Sequence, residues 1–169
     1  SSLIEASGSS NIFIINSTAS MMGCSVPGCL ASVSQGATLY FGSSVASRAF
    51  TTSQGGVLLA QTNSLIVIQD SILQRGYSSN QGGALESVDS SVWILNSVLW
   101  NNGALTGGAL SATTSHVVLT HSCALSNQAF TRGAAVSSVS STVSIDVSAF
   151  LENMVAPMAT SQQPDKSSP

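Results

Sequence analysis

One serine sets the ruler for this chain. Ser17, Ser44, Ser71, Ser97, Ser122 and Ser148 follow one another at intervals of 27, 27, 26, 25 and 26 residues. Three positions before each stands Ile14, Phe41, Ile68, Ile94, Leu119 or Ile145, and five before stands Ile12, Leu39, Ile66, Val92, Val117 or Val143. The position between them is mixed: Phe13, Tyr40, Val67, Trp93, Val118 and Ser144. Apolar residues at alternate positions make a strand with one buried face. A unit this short cannot bury that face alone, so the fixed period restricts the chain to repeat architectures.

Ten or eleven residues after the serine comes a second column, Gly28, Gly55, Gly82, Gly107 and Gly133, followed by small or aliphatic residues as in QGGVL, QGGAL, TGGAL and RGAAV. Glycine there permits the positive φ or close backbone approach of a tight corner. Asn102, Asn127 and Asn153 share a further column between serine and glycine, and asparagine tolerates the left-handed conformation. The last third of each repeat is polar, as in ESVDSS and SSVSST. The spacing predicts about three short strands and three corners per repeat. Copies stacked at roughly 4.8 Å give a right-handed parallel β-helix of about six coils. A β-sandwich needs hairpin signals without a fixed period, and a propeller blade needs about 40 residues or more. The predicted organisation is a leading segment at 1–11, the β-helix at 12–156 and a Pro/Ser-rich tail at 157–169, with the helix stopping near Val155. The chain starts without Met, which suggests that an upstream part has been removed. It reads as a piece of a longer solenoid or as one held by partners at its ends.

Composition narrows the function classes. Only 7% of residues are charged, against 43% hydrophobic, and the net charge is −3. With serine at roughly a fifth of the chain, solubility must rest on hydroxyls and amides. The few basic residues, Arg48, Arg75, Arg132 and Lys166, argue against nucleic acid, which demands a basic face. No apolar run approaches the roughly 18 residues of a membrane-spanning helix. Cys24 and Cys29, in GCSVPGC, fit either a short-loop disulfide or two small free thiols, and Cys123 reads as a small buried residue.

The glycine and asparagine elements resemble the repeat of the polymorphic outer membrane proteins, which pairs GGA-aliphatic with Phe-x-x-Asn on a pectin-lyase-like β-helix. QGGAL at 81–85 and TGGAL at 106–110 match the first element. FLEN at 150–153 matches the second, LWNN at 99–102 nearly so and ALSN at 124–127 more weakly. The second and third coils depart from it, with Arg48 and Gly76 where asparagine would stand. The resemblance implies a β-helical segment of a cell-surface or extracellular protein.

Resemblance to pectate lyases and polygalacturonases would further imply clustered aspartates. Glycosidic chemistry needs two carboxylates within roughly 5–10 Å, whereas Asp70 and Asp146 fall three coils, about 14 Å, apart. Glu86 and Asp89 read as a solvated turn pair. His116 and His121, five apart on an extended stretch, cannot share one metal ion, and His121 reads as a hydrogen-bonded rung. No G-x-S-x-G elbow presents a serine nucleophile. Arg48 and Arg75 lie four residues after their serines on adjacent coils, with Asn101 next. Two guanidinium groups so placed repel unless an anion or acidic sugar bridges them, which makes the three an anion- or glycan-binding candidate. Asn16-Ser17-Thr18 is a candidate N-glycosylation sequon.

The function expected is a non-catalytic structural or adhesive module, with no cofactor. Its partners would be flanking coils of the same longer chain, a protein at the solenoid ends, or a glycan. The alternative is a carbohydrate-binding or polysaccharide-active β-helix whose decisive residues lie outside this chain. An ice-binding solenoid is a weaker alternative, because Thr51, Thr52, Thr62, Thr113, Thr114 and Thr120 do not form one column.

Overall fold

A computed structural model describes residues 2–20 and 23–156. Within them the chain is a parallel β-solenoid of six coils, with no helix. Each coil has four strands rather than the three expected, so four six-stranded parallel sheets, here A to D, run along the stack. In the fourth coil these strands are Leu85–Val88, Ser91–Leu95, Val98–Trp100 and Gly103–Thr106. The registers are those of the serine ruler: Ile66 pairs with Val92, and Val92 with Val117. The stack starts earlier than residue 12, because Ile4–Ala6 pairs with Ala31–Val33. The expected tail at 157–169 lies outside the described residues.

The two apolar columns of sheet B fill the interior. From Leu39 to Val117 and from Phe41 to Leu119 they are essentially inaccessible, and Leu58, Leu85, Leu110, Leu73 and Leu99 join them from sheets A and C. Each such side chain contributes roughly 1.5–3 kcal/mol on burial.

The corners explain the rest of the repeat. Most are turned through one residue, sometimes two, in the left-handed region. Between sheets B and C these are Asn16, Ser43, Asp70, Asn96, His121 and Val147. Between C and D they are Arg48, Arg75, Asn101, Ser126 and Glu152. Between D and A they are the glycines 28, 55, 82, 107 and 133. At the first two corners the side chain points to solvent and many residue types serve. At the third it cannot. A Cβ on Gly107 would overlap the Leu110 carbonyl oxygen and lie 2.8 Å from its carbon.

At the B–C and C–D corners the next residue turns inward and is short and polar over much of the stack. Its amide has left the regular ladder, so a side chain supplies the acceptor. The amides of Ser17, Ser44, Ser71, Ser97 and Ser122 each donate to the hydroxyl oxygen of the serine one coil later, at 3.0–3.2 Å. Each hydroxyl donates in turn to the carbonyl two residues before it, as Ser71 does to Gln69 at 2.7 Å. A second serine ladder, Ser64, Ser90, Ser115 and Ser141, links amide to hydroxyl in the same way between sheets A and B, the Ser64 hydroxyl donating to Val33 O and the other three to the carbonyl two residues before. The third ladder is Asn102, Asn127 and Asn153. Asn127 Oδ1 accepts both the amide and the side-chain amide of Asn102, while its own Nδ2 donates to Leu99 O and to Asn153 Oδ1, all at 2.9–3.0 Å. Buried polar groups are thereby satisfied from coil to coil, as burial requires. The residues of this column in the second and third coils are Ala49 and Gly76. Arg48 belongs to the corner column one position earlier, which corrects the alignment read from the sequence.

Candidate functional site

The outer face of sheet D, beside the C–D corner, carries a groove that combines aromatic, carboxamide and guanidinium groups. Its first outward column runs Phe50, Tyr77, Gly103, Gln128. Phe50 and Tyr77 stack with ring centroids 5.4 Å apart and planes 3° from parallel, an arrangement worth about 0.5–1.5 kcal/mol beyond burial. Gly103 then breaks the column. A Cβ there would lie 3.2 Å from Tyr77 Cδ2, so the missing side chain is what leaves this side of the ring open. Phe130, one coil further on, turns its ring edgewise to Tyr77 at 6.5 Å and 71°.

The corner column forms the opposite wall. Arg75 and Asn101 are exposed, with φ of 54° and 53°. The Arg75 guanidinium carbon lies 5.6 Å from the Trp100 ring centroid, a cation–π contact of roughly 0.5–1 kcal/mol at an exposed site. An open groove of about 210 Å³ results, walled by Arg75, Tyr77, Asn101, Gln128 and Phe130, with Gly76, Asn102 and Gly103 as floor. A cation held on an aromatic ring, two carboxamides and an open ring face can hold a flat, hydroxylated or anionic molecule.

Of the three residues singled out from the sequence, Arg75 and Asn101 line this groove and Arg48 does not. Arg48 and Arg75 do occupy successive places in one corner column, but Arg75 lies against Trp100 of the following coil. Tyr77, Gly103, Gln128 and Phe130 are groove residues that the sequence reading missed.

The remaining candidates are dispersed. Asp70 is an exposed B–C corner residue whose carboxylate accepts from Gln69 Nε2 at 3.2 Å and from Asn96 Nδ2. Asp146 stands three coils on, in the neighbouring column. His121 is an exposed corner residue, not a hydrogen-bonded rung: among the described residues only its backbone is bonded, its amide to Asp146 O and its neighbours through the ladder. Asn16 is exposed at the first B–C corner. Cys24 and Cys29 form a disulfide with Cα atoms 5.8 Å apart. Cys123 is free and half-buried on the outer side of sheet C, not in the core. Among the described residues, no three His, Cys, Asp or Glu side chains gather where a metal ion could sit.

Glu86 departs most from its sequence reading. It is not a solvated partner of Asp89. Asp89 is exposed at an A–B corner, whereas Glu86 is 1% exposed, between Leu59 and Ser111 in sheet A. This column lies hard against the glycine corner. A Cβ on Gly28 would sit 2.9 Å from Leu59 Cβ, and Gly55 and Gly82 approach the Glu86 backbone nitrogen in the same way. Gln81, just before that corner, accepts a hydrogen bond from Ser111 Oγ at 3.3 Å. Among the described residues Glu86 Oε2 has no hydrogen-bond partner. Burial pushes the carboxyl up from 4.5 to about 8, so at neutral pH it is mainly uncharged.

Comparison with protein-family models, with curated proteins and with solved structures finds no match to this chain.

Proposed function

We propose that this chain is a non-catalytic module of a surface or extracellular protein, a rigid spacer that also offers an adhesive contact. The observation that carries this reading is the set of side-chain ladders running through the coils. Among the described residues, most buried polar side chains bond from one coil to the next. The acidic residues support it too, since Asp70 and Asp146 are three coils apart and Glu86 is buried beneath a corner. The likeness of QGGAL, TGGAL and FLEN to polymorphic outer membrane protein repeats on pectin-lyase-like β-helices points to the same setting.

A second reading, a carbohydrate-binding β-helix, is favoured by the groove beside Tyr77. Sugar rings stack on open aromatic faces, and carboxamides and guanidinium groups bond their hydroxyls and carboxylates. A glycan array run beside a reducing-sugar assay separates the readings. Retention of a glycan without release of new reducing ends is the expected result for an adhesive module. Arg75→Ala/Trp100→Ala should then lower that retention more than tenfold with an unchanged melting temperature. Released reducing ends would overturn the non-catalytic reading. Equal retention by wild type and the double variant would remove the groove from it.

A further inference from the structure

One motif of the sequence stands outside the readings above. Of the nine asparagines only Asn16 is followed two places on by a serine or threonine, in Asn16-Ser17-Thr18. The fold divides this triplet. Ser17 turns inward and belongs to the stack: its amide donates to Ser44 Oγ at 3.0 Å and its hydroxyl to Ile15 O at 2.9 Å. Asn16 turns the B–C corner at φ 51°, a conformation asparagine adopts readily, and Asn16 and Thr18 are exposed on either side of the serine. That exposure is a property of the corner. Ser43, Asp70, Asn96 and His121 turn the same corner in the next four coils and are all exposed, although each has a coil above and below it.

Two further observations point the same way. Cys24 and Cys29, a few residues on, form a disulfide, a bond that persists in the oxidising compartments of the secretory path, where sequons of this type are used. Beside the corner, Phe13 and Ile15 face outward along the strand that leads to Asn16. Phe13 is 69% exposed, and Trp93, three coils on in the same column, is still 43% exposed between its neighbours. A sugar ring laid with its apolar face down takes such side chains out of water.

We propose that Asn16 carries an N-linked glycan whose first sugar lies over Ile15 and Phe13, which rests on the surface or extracellular setting proposed above. The co-substrate is an oligosaccharide carried on a lipid diphosphate. Asn16 Nδ2 forms the bond to the anomeric carbon, and the bond from that carbon to the diphosphate oxygen breaks. The lipid diphosphate leaves with the electron pair, Nδ2 gives up one proton to a base of the transferase, and nothing is oxidised or reduced. The sequon is read on the extended chain, so the fold decides whether the product can be housed. At a B–C corner it is housed, because the side chain leads into water. The same graft on Asn102 or Asn127, buried in their ladder, would break the stack.

Secretion of the full chain from a eukaryotic cell, behind a cleavable leader, tests this without relying on that setting. Digestion with peptide-N-glycosidase should remove the mass of one glycan. Thr18→Ala should abolish that shift and Thr18→Ser should retain it. Val98, in register with Thr18 three coils on, offers a test of the corner itself: Val98→Thr completes a sequon at Asn96 and should add a second glycan with secretion unchanged. A secreted wild type without a glycan overturns the proposal and leaves the surface setting standing, and a Val98→Thr chain that is glycosylated but no longer secreted overturns the argument from the corner. The glycosylated chain should also melt higher than the same chain made in an oxidising host that lacks the transferase, and Phe13→Ser should shrink that difference. A glycan that adds no stability, or adds as much without Phe13, overturns the contact with the first sugar.

Discussion

Replacing Gly107 by valine is expected to cost more than about 4 kcal/mol, a large share of the roughly 5–15 kcal/mol that stabilises a typical domain. Two effects add. Gly107 has φ +67°, a region that costs a β-branched residue roughly 1–3 kcal/mol. The new Cβ would also meet backbone on all sides: the Leu110 carbonyl, with its carbon at 2.8 Å, and the Ser111 Cα at 3.0 Å. No rotamer relieves a clash between Cβ and backbone, so the corner itself must move, and with it the fold of sheet D onto sheet A. Urea or thermal denaturation measures the loss, expected as about 10 °C or more at this chain length. Asn101→Gly is the control. It sits at φ +53° at the C–D corner with its side chain in solvent, so it should change stability by less than about 1 kcal/mol. If both substitutions are equally mild, the close approach at the D–A corner is not what selects glycine.

Glu86→Gln is expected to change how stability depends on pH. In the unfolded chain the carboxyl ionises near its ordinary value of 4.5; in the fold burial holds it protonated up to about 8. Between these values the native state binds the extra proton, so wild-type stability falls as pH rises through this window and levels off above it. The slope approaches about 1.4 kcal/mol per pH unit, and the whole window amounts to at most about 4–5 kcal/mol. Glutamine does not titrate, so its curve lacks this descent and the variant should overtake wild type toward pH 8. Denaturant midpoints from pH 5 to pH 8 give the comparison. Parallel curves would mean that Glu86 reaches solvent or a partner in the fold.

The columns that could be read from the sequence are those with a distinctive side chain at every coil. Ile14 to Ile145, the anchor serines and the corner glycines stand out because an inward position, a ladder and a backbone clash each tolerate few residue types. The other corners are hidden for the opposite reason. Arg48, Asp70, His121 and Glu152 all turn corners with their side chains in water, so nothing in their chemistry marks a turn. That concealed the fourth strand. It also placed Arg48 in the asparagine column, one position from where it lies. The second serine ladder was masked by abundance: with serine at roughly a fifth of the chain, Ser64, Ser90 and Ser115 do not look periodic.

The groove was half legible. Arg75 and Asn101 follow from counting along the ruler. Tyr77 and Gly103 keep step in sheet D, but the register shifts after Ser78 and after Ala104, so counting loses Phe130. The burial of Glu86 had no sequence signal at all. Its cover comes from a glycine corner that folds back over its column, a long-range contact that the polar stretch ESVDSS does not reveal.

The parallel register is the claim on which all else rests, and backbone nuclear Overhauser contacts in the labelled chain test it most directly. Contacts are expected from Ile66 to Val92 and from Val92 to Val117, and in every sheet between residues 25 to 27 apart, with both numbers rising together along each strand pair. Contacts in which one number rises as the other falls, or pairs confined to neighbouring strands of one repeat, would mean hairpins in place of coils and would contradict it.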